Sequence, residues 1–248
     1  MRFAFSRPTP GDDEQRVLFR NFHQIGYDGL QLKRGQYARY LDEPRRFAED
    51  WGEAPGVAAG LITGGRLDKD GIASLRKVLR FASAMGSDRV IFCHGRPREG
   101  LTADDIRGFA KRLSEPGAEA RSLGTKLSLH HHFNQPVMHR ADFDAFFDAV
   151  EDGAVGLTVD TAHLVKSGVD DIAGLIRDFA GAIDNFHLKD FADGRWRVLG
   201  EGEIDFAPVF TAIRDIGYDG WVSADEESGA DIMGAMKTCH QFMTRGLT

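Results

Sequence analysis

The pentapeptide IGYDG stands twice in the chain, as Ile25–Gly29 and as Ile216–Gly220. Each copy closes an amphipathic stretch, Glu14 to Gln24 in one case and Phe206 to Asp215 in the other. Each then opens a short apolar one, Leu30-Gln31-Leu32 or Trp221-Val222-Ser223-Ala224. Gly26 and Gly217 suit the left-handed position that ends a helix, where a Cβ is strained, and the Asp-Gly pairs suit a turn into a strand. Both copies therefore read as helix-to-strand joints.

Outward from these joints, helix-length periodic segments alternate with short strand candidates along the whole chain. The strands read as Arg2–Ser6, Gly29–Lys33, Val57–Ile62, Arg89–His94, Lys126–His132, Val155–Asp160, Ile183–Lys189 and Trp221–Asp225. Spread over 248 residues, these give about 31 residues per unit, the length of one strand plus one returning helix. Such alternation predicts a parallel sheet closed into a (β/α)8 TIM barrel, with residues 1–248 as a single domain. The alternative, an open doubly wound sheet, lacks its usual G-x-G-x-x-G phosphate loop. The Gly200–Asp205 segment, GEGEID, matches nothing nucleotide-related well.

The 31 Lys and Arg against 38 Asp and Glu leave a net charge of −7, with both signs interspersed. Phosphate-backbone binding needs a concentrated basic face, so nucleic acid is disfavoured as a partner. No apolar run approaches the roughly 20 residues that span a bilayer, and Met1 to Phe5 enters a strand without a signal peptide before it. A cytoplasmic protein without a membrane partner is the expectation. Cys93 and Cys239 lie far apart in sequence and read as reduced thiols.

Strand alternation decides where the ionisable groups point. With Leu127 and Leu129 facing helices, His130 and His132 face the barrel interior and His131 points away, so the run of three histidines divides. With Leu157 and Val159 outward, Asp160 is interior, and His163 lies just beyond it. Outward Phe186 and Leu188 leave His187 and Lys189 inside; outward Val222 and Ala224 leave Asp225, and then Glu227, inside. His94 shares the parity of Phe92 and reads as an interior substrate contact. Four consecutive strands thus deliver ionisable groups to the end of the barrel where such enzymes place their active sites. Two carboxylates and several imidazoles buried together call for a positive charge between them. One divalent metal ion supplies it. His nitrogen and carboxylate oxygen favour Mn2+, with Co2+, Zn2+ or Fe2+ also suited, while Mg2+ would prefer more oxygen.

The motifs LTVDTAH (Leu157–His163), FHLKD (Phe186–Asp190), GEGEIDF (Gly200–Phe206) and GYDGWVSADEE (Gly217–Glu227) resemble the last three strands of the xylose isomerase-like barrels. That superfamily comprises sugar isomerases, epimerases and inosose dehydratases. The resemblance implies one divalent metal held by His130, Asp160, His187 and Asp225. It departs from the sugar epimerases at two positions, which usually carry Glu where this chain has His130 and Asp225; Glu227 offers the longer reach. The His130-His131-His132 run is closer to the His-x-His of inosose dehydratase-like members. The expected activity is isomerisation or epimerisation of a small polyhydroxylated carbonyl substrate through an enediolate. Expulsion of a β-hydroxyl or a 3-keto-glycoside leaving group on the same site is the alternative, and a non-catalytic sugar-binding subunit the second alternative. His132 with Asp225 or Glu227 would transfer protons, Lys189 would hold an anionic oxygen, and His94, His163 and Arg197 would contact substrate. AP endonucleases share the barrel but need an Asp-x-His where this chain reads DGRWR, Asp193–Arg197. A second copy or a partner subunit could complete the pocket.

Overall fold

A computed structural model describes residues 1–52 and 54–248. Eight parallel strands close into a barrel: β1 (Arg2–Ser6), β2 (Gly29–Leu32), β3 (Gly60–Gly65), β4 (Arg89–His94), β5 (Lys126–His130), β6 (Gly156–Asp160), β7 (Ile183–Leu188) and, after a hairpin, β10 (Trp221–Asp225). The last pairs back onto the first, Arg2 beside Trp221 and Ser6 beside Asp225. The hairpin, β8 (Asp190–Ala192) with β9 (Arg195–Arg197), is antiparallel and stands outside the barrel. Helices follow the strands around the outside, the longer ones being α1 (Asp12–Ile25), α4 (Lys69–Met85), α5 (Ala103–Ser122), α9 (Phe206–Asp215) and α10 (Ile232–Leu247). Shorter segments are α2 (Arg34–Tyr37), α3 (Pro44–Trp51), α6 (Arg140–Phe147), α7 (Thr161–Lys166) and α8 (Ile172–Asp178).

Both copies of the pentapeptide are helix-to-strand joints. Gly26 ends α1 at φ +115°, and a Cβ there would come within 2.7 Å of the His240 ring. Gly217 turns at φ +64° before β10. Acidic caps start many of the helices: Asp68, Asp160, Asp171, Asp205 and Asp231 each accept a backbone N–H of the first turn, which removes orphan donors and complements the helix dipole.

Leu127, Leu129, Leu157, Val159, Phe186, Leu188, Val222 and Ala224 are fully buried between sheet and helices, the outward set that alternation requires. The interior is polar even low in the barrel. Arg89 pairs with Asp184 at 3.3 Å, Ser128 Oγ donates to the same carboxylate at 2.6 Å, and Gln31 and Asn185 exchange amide hydrogen bonds at 2.8 and 3.2 Å.

Three strand boundaries differ from the sequence reading in ways that matter. β3 runs three residues later than Val57–Ile62, because the small residues Ala58, Ala59 and Gly60 carry no alternation. β5 stops at His130, so His132 lies beyond the strand. In β4 the interior position belongs to Cys93, whose Sγ lies 2.9 Å from His130 Nδ1, while His94 meets Phe109 of α5 edge-to-face with ring centres 4.5 Å apart. The inward reading of His94 is therefore corrected. Val90 to Cys93 is an unbroken apolar run, and a strand apolar on both faces gives no parity signal.

Candidate metal centre

At the C-terminal ends of β6, β7 and β10, Asp160, His187 and Asp225 each present a donor atom, all within 4.8 Å of one another; His130, Asp160 and His163 form a second such group. All five residues are buried. Asp160 is shared between the groups for a structural reason. It is the last residue of β6 and caps α7, its Oδ1 accepting the His163 N–H at 2.9 Å while Oδ2 faces His130 Nε2 at 3.3 Å.

His187 meets the chemical requirement of a ligand. Its Nε2–H donates to Gln31 Oε1 at 2.7 Å, which fixes the tautomer, and its Nδ1 is buried with no hydrogen-bond partner. A lone pair with no donor nearby is costly in an interior, and a hydrogen bond on the far nitrogen is how proteins orient metal-binding imidazoles. Two carboxylates, imidazole nitrogens and that free lone pair therefore fit a divalent cation.

Opposite these donors stand two lysines. Lys33, following β2, reaches Asp225 Oδ1 at 2.6 Å and Glu227 Oε1 at 2.9 Å. Lys189, following β7, reaches Asp225 Oδ2 at 3.1 Å and also donates to Glu227 Oε2. Burial opposes the charge on Lys33, but Asp225 and Glu227 outweigh it and raise its pKa; Lys189 is raised likewise against burial, mainly by Asp225 and Asp160. Burial also works against the ionised carboxyls, yet Lys189, Lys33 and His187 hold Asp225 well below the usual range, and His163, His130 and Lys189 do so for Asp160. Burial pushes His187 down to about 3 and His163 to about 2, which favours the neutral, ligating form of both rings, whereas Cys93 and Asp160 raise His130 to about 10 against burial.

The three histidines of the run divide. His130 points at Asp160. His131 turns outward onto Phe143 of α6, and its Nε2 accepts the Asp160 N–H at 2.9 Å. His132, on the turn after β5, stacks on His163 with ring centres 3.7 Å apart; its Nδ1–H donates to the Phe133 carbonyl at 2.8 Å, which leaves the lone pair on Nε2. Glu227 is half-buried beside the lysines, its side chain 30% exposed. His163 meets Trp196 of the hairpin at 5.0 Å, and Lys189 lies 4.5 Å from the centre of the same ring. Arg197 is not brought to the acids; its guanidinium pairs with Asp193 at 3.1 Å. His94 is likewise outside this group. Lys33, Gln31, Cys93 and Trp196 escaped the sequence reading. Lys33 alone carried a signal, because it sits at the end of a strand with the interior parity of Gln31.

Three comparisons with known proteins bear on this geometry. The sequence profile of the family described as Xylose isomerase-like TIM barrel matches residues 19–241. An inosose dehydratase of Lacticaseibacillus casei is 30% identical over an alignment taking in 51% of this chain and 49% of that protein, so the match spans about half the length of the relative. Among solved structures, the IOLI protein with a bound zinc atom superposes with a TM-score of 0.81 at 18% identity, over 100% of this chain and 98% of that one. An L-ribulose 3-epimerase also gives 0.81, at 22% identity, over 99% and 94%. At these identities the two structures speak for the fold.

Proposed function

Because the chain belongs to the xylose isomerase-like TIM-barrel family, we propose that it is a divalent-metal-dependent isomerase or epimerase of a small sugar or keto-polyol, acting through an enediolate. The observation that carries this reading is the convergence of Asp160, His187 and Asp225 on one point, with the His187 Nδ1 lone pair unmet. These three residues and His130 would hold the cation. Bound there, it supplies Lewis-acid polarisation of a substrate carbonyl; the donor set favours Mn2+ among the metals that accept mixed nitrogen and oxygen ligation.

The residues of the chain divide the remaining work. Glu227, half-exposed and held by the ammonium groups of Lys33 and Lys189, is placed to accept the proton α to the carbonyl. On the other face the free Nε2 of His132 takes a proton from solvent and returns it to carbon, while Glu227 releases the proton it removed to solvent. Lys33 and Lys189 remain protonated beside the acids and stabilise the negative oxygen that develops as the proton leaves. The Trp196 ring covers His163 and Lys189 and excludes water from that side. Asp225 sits deeper, on β10 itself, and serves the cation rather than the proton.

A second reading has its own support. The inosose dehydratase relative is a dehydratase, and loss of a β-hydroxyl from the same enediolate gives a lyase, with Lys189 protonating the departing oxygen and recovering a proton from Glu227, to which it is hydrogen-bonded. One experiment separates these readings. The metal-loaded protein is incubated in D2O with ketoses, keto-inositols and 3-keto-glycosides. Deuterium at carbon with conserved mass otherwise indicates isomerisation or epimerisation; loss of one water indicates elimination. Absence of exchange with every member of the panel, from a protein carrying stoichiometric metal, would leave only the sugar-binding reading. A cytoplasmic location, one domain over the whole chain and assembly into a homo-oligomer belong to the same proposal.

A further inference from the structure

A second cavity, of about 730 Å3, opens beside the strand ends of β3 and β4, lined by Arg66, Asp68, His94, Arg96, Glu99 and Arg112 with Leu67 and Pro97. Its size falls within the roughly 300–1,000 Å3 of small-molecule sites. The backbone creates it. β3 ends on Gly64 and Gly65, the Gly95 N–H after β4 donates to the Gly65 carbonyl at 2.8 Å, and a Cβ on Gly65 would meet nothing within 4 Å. Arg66 and Arg96 follow these glycines directly, and Arg112 faces them from α5.

Three guanidinium groups gathered in one concavity repel one another unless an anion joins them. Neighbouring arginines have partners: Arg76 with Glu115 and Glu119, Arg98 with Asp142, Arg107 with Asp104. Among the described residues, Arg66, Arg96 and Arg112 have no ion-pair partner. Of the two acids in the lining, Asp68 spends an oxygen on the Gly71 N–H at the start of α4, and Glu99 forms no ion pair with the three. The buried polar member of the lining is His94, 6% exposed, whose Nδ1 has no hydrogen-bond partner. Burial, then Arg112, Arg96 and Arg66, push its pKa down to about 4, so it stands there as a neutral ring with an unmet polar atom rather than as a fourth charge.

We propose that this cavity is an oxyanion site of the phosphate class, held by Arg66, Arg96 and Arg112 with His94 at its floor. Guanidinium forks match phosphate oxygens in pairs. The cavity shares no lining residue with the metal centre, and Cys93 links the two: its neighbour His94 lines the cavity and its Sγ lies 2.9 Å from His130 Nδ1. The phosphate can therefore come from either of two sources, a phosphorylated substrate that spans both sites or free phosphate acting as an effector. The existence of the site does not depend on the metal reading.

Isothermal titration of inorganic phosphate into the wild-type protein at low ionic strength tests it. Saturable binding is expected, weakened about ten-fold by each of Arg66→Ala, Arg96→Ala and Arg112→Ala, as the loss of a charge-assisted hydrogen bond implies. Arg107→Ala on the same helix, already paired with Asp104, leaves it unchanged. All four arginines are exposed, so these variants fold. No saturable binding, or equal weakening by the Arg107 variant, overturns the proposal. Titration of fructose 6-phosphate in the presence of Mn2+ then identifies the source. If it binds more tightly than phosphate and His187→Ala removes the gain, the phosphate belongs to a substrate. If the two ligands bind alike and the His187 variant is indifferent, it is a free effector. Both results sustain the site.

Discussion

The imidazole of His187 has a hydrogen bond on one nitrogen and none on the other, and that asymmetry makes its role testable. His187→Ala removes the lone pair and is expected to abolish stoichiometric metal and proton exchange together. Gln31→Leu leaves the ring in place but frees it to rotate and to change tautomer; metal affinity should fall by about 10- to 100-fold, as loss of such a supporting bond does, with the fold intact by circular dichroism. Undiminished affinity in the Gln31 variant would show that Gln31 does not orient the ring. His131 provides the contrast. Its ring is buried outside the barrel and holds the Asp160 backbone, so His131→Ala costs about 2–4 kcal/mol of stability through a cavity and an unpaired N–H, while the folded protein keeps its metal. For Lys33 the argument is electrostatic. Lys33→Met leaves Asp225 and Glu227 with Lys189 alone, and the turnover rate should drop by at least ten-fold with metal content preserved, the signature of charge stabilisation lost at the reacting centre. A Lys33 variant with unaltered turnover would return that residue to a purely structural part.

Among the elements, the hairpin of β8 and β9 is the one that the site borrows from outside the barrel. One buried carboxylate organises it: Asp190 accepts the N–H groups of Phe191, Gly200, Gly202 and Ile204 at 2.8 to 3.3 Å. A Cβ on Gly202 would lie 2.2 Å from that carboxylate, which explains the second glycine of GEGEID as a close approach and not as a nucleotide loop. Asp190→Ala leaves four backbone donors without their acceptor. The hairpin should loosen, Trp196 should shift from Lys189 and His163, and its fluorescence should become accessible to iodide quenching; quenching equal to that of the parent protein would refute the assignment. The strands show how far sequence carries such a site. Where apolar and polar residues alternate, as in Leu127 to His130, Phe186 to Lys189 and Val222 to Asp225, parity placed the side chains where the structure has them. Where the strand is apolar on both faces, as at Val90 to Cys93, parity was silent and His94 was set on the wrong side. Gln31 lies in the four-residue β2 and Lys33 just after it, so the parity the two share is a signal only one step long. A lysine following so short a strand reads as a solvated turn until its partners, some 190 residues later in the chain, are known to close the barrel beside it.

The closed barrel is what makes that pairing lawful: β10 returns to β1, and β1 lies beside β2, so the acids after β10 and the lysine after β2 share one rim. The consequence is a centre dense in charge yet balanced without a cation, Lys33 and Lys189 facing Asp225 and Glu227. The apoprotein is therefore expected to fold, unlike small domains whose structure depends on the metal. A cation adds to that stability only to the extent that it binds the native state. At 100 times its dissociation constant the increment is about 2.7 kcal/mol, and for a domain of this size each kcal/mol moves the melting temperature by roughly 2–4 °C. Stripping with a chelator and returning Mn2+ should thus raise the melting temperature by roughly 5–10 °C in the parent protein and leave His187→Ala where it was. Equal rises in both would place the ion elsewhere on the surface, and no rise in the parent would remove the cation from the barrel mouth altogether.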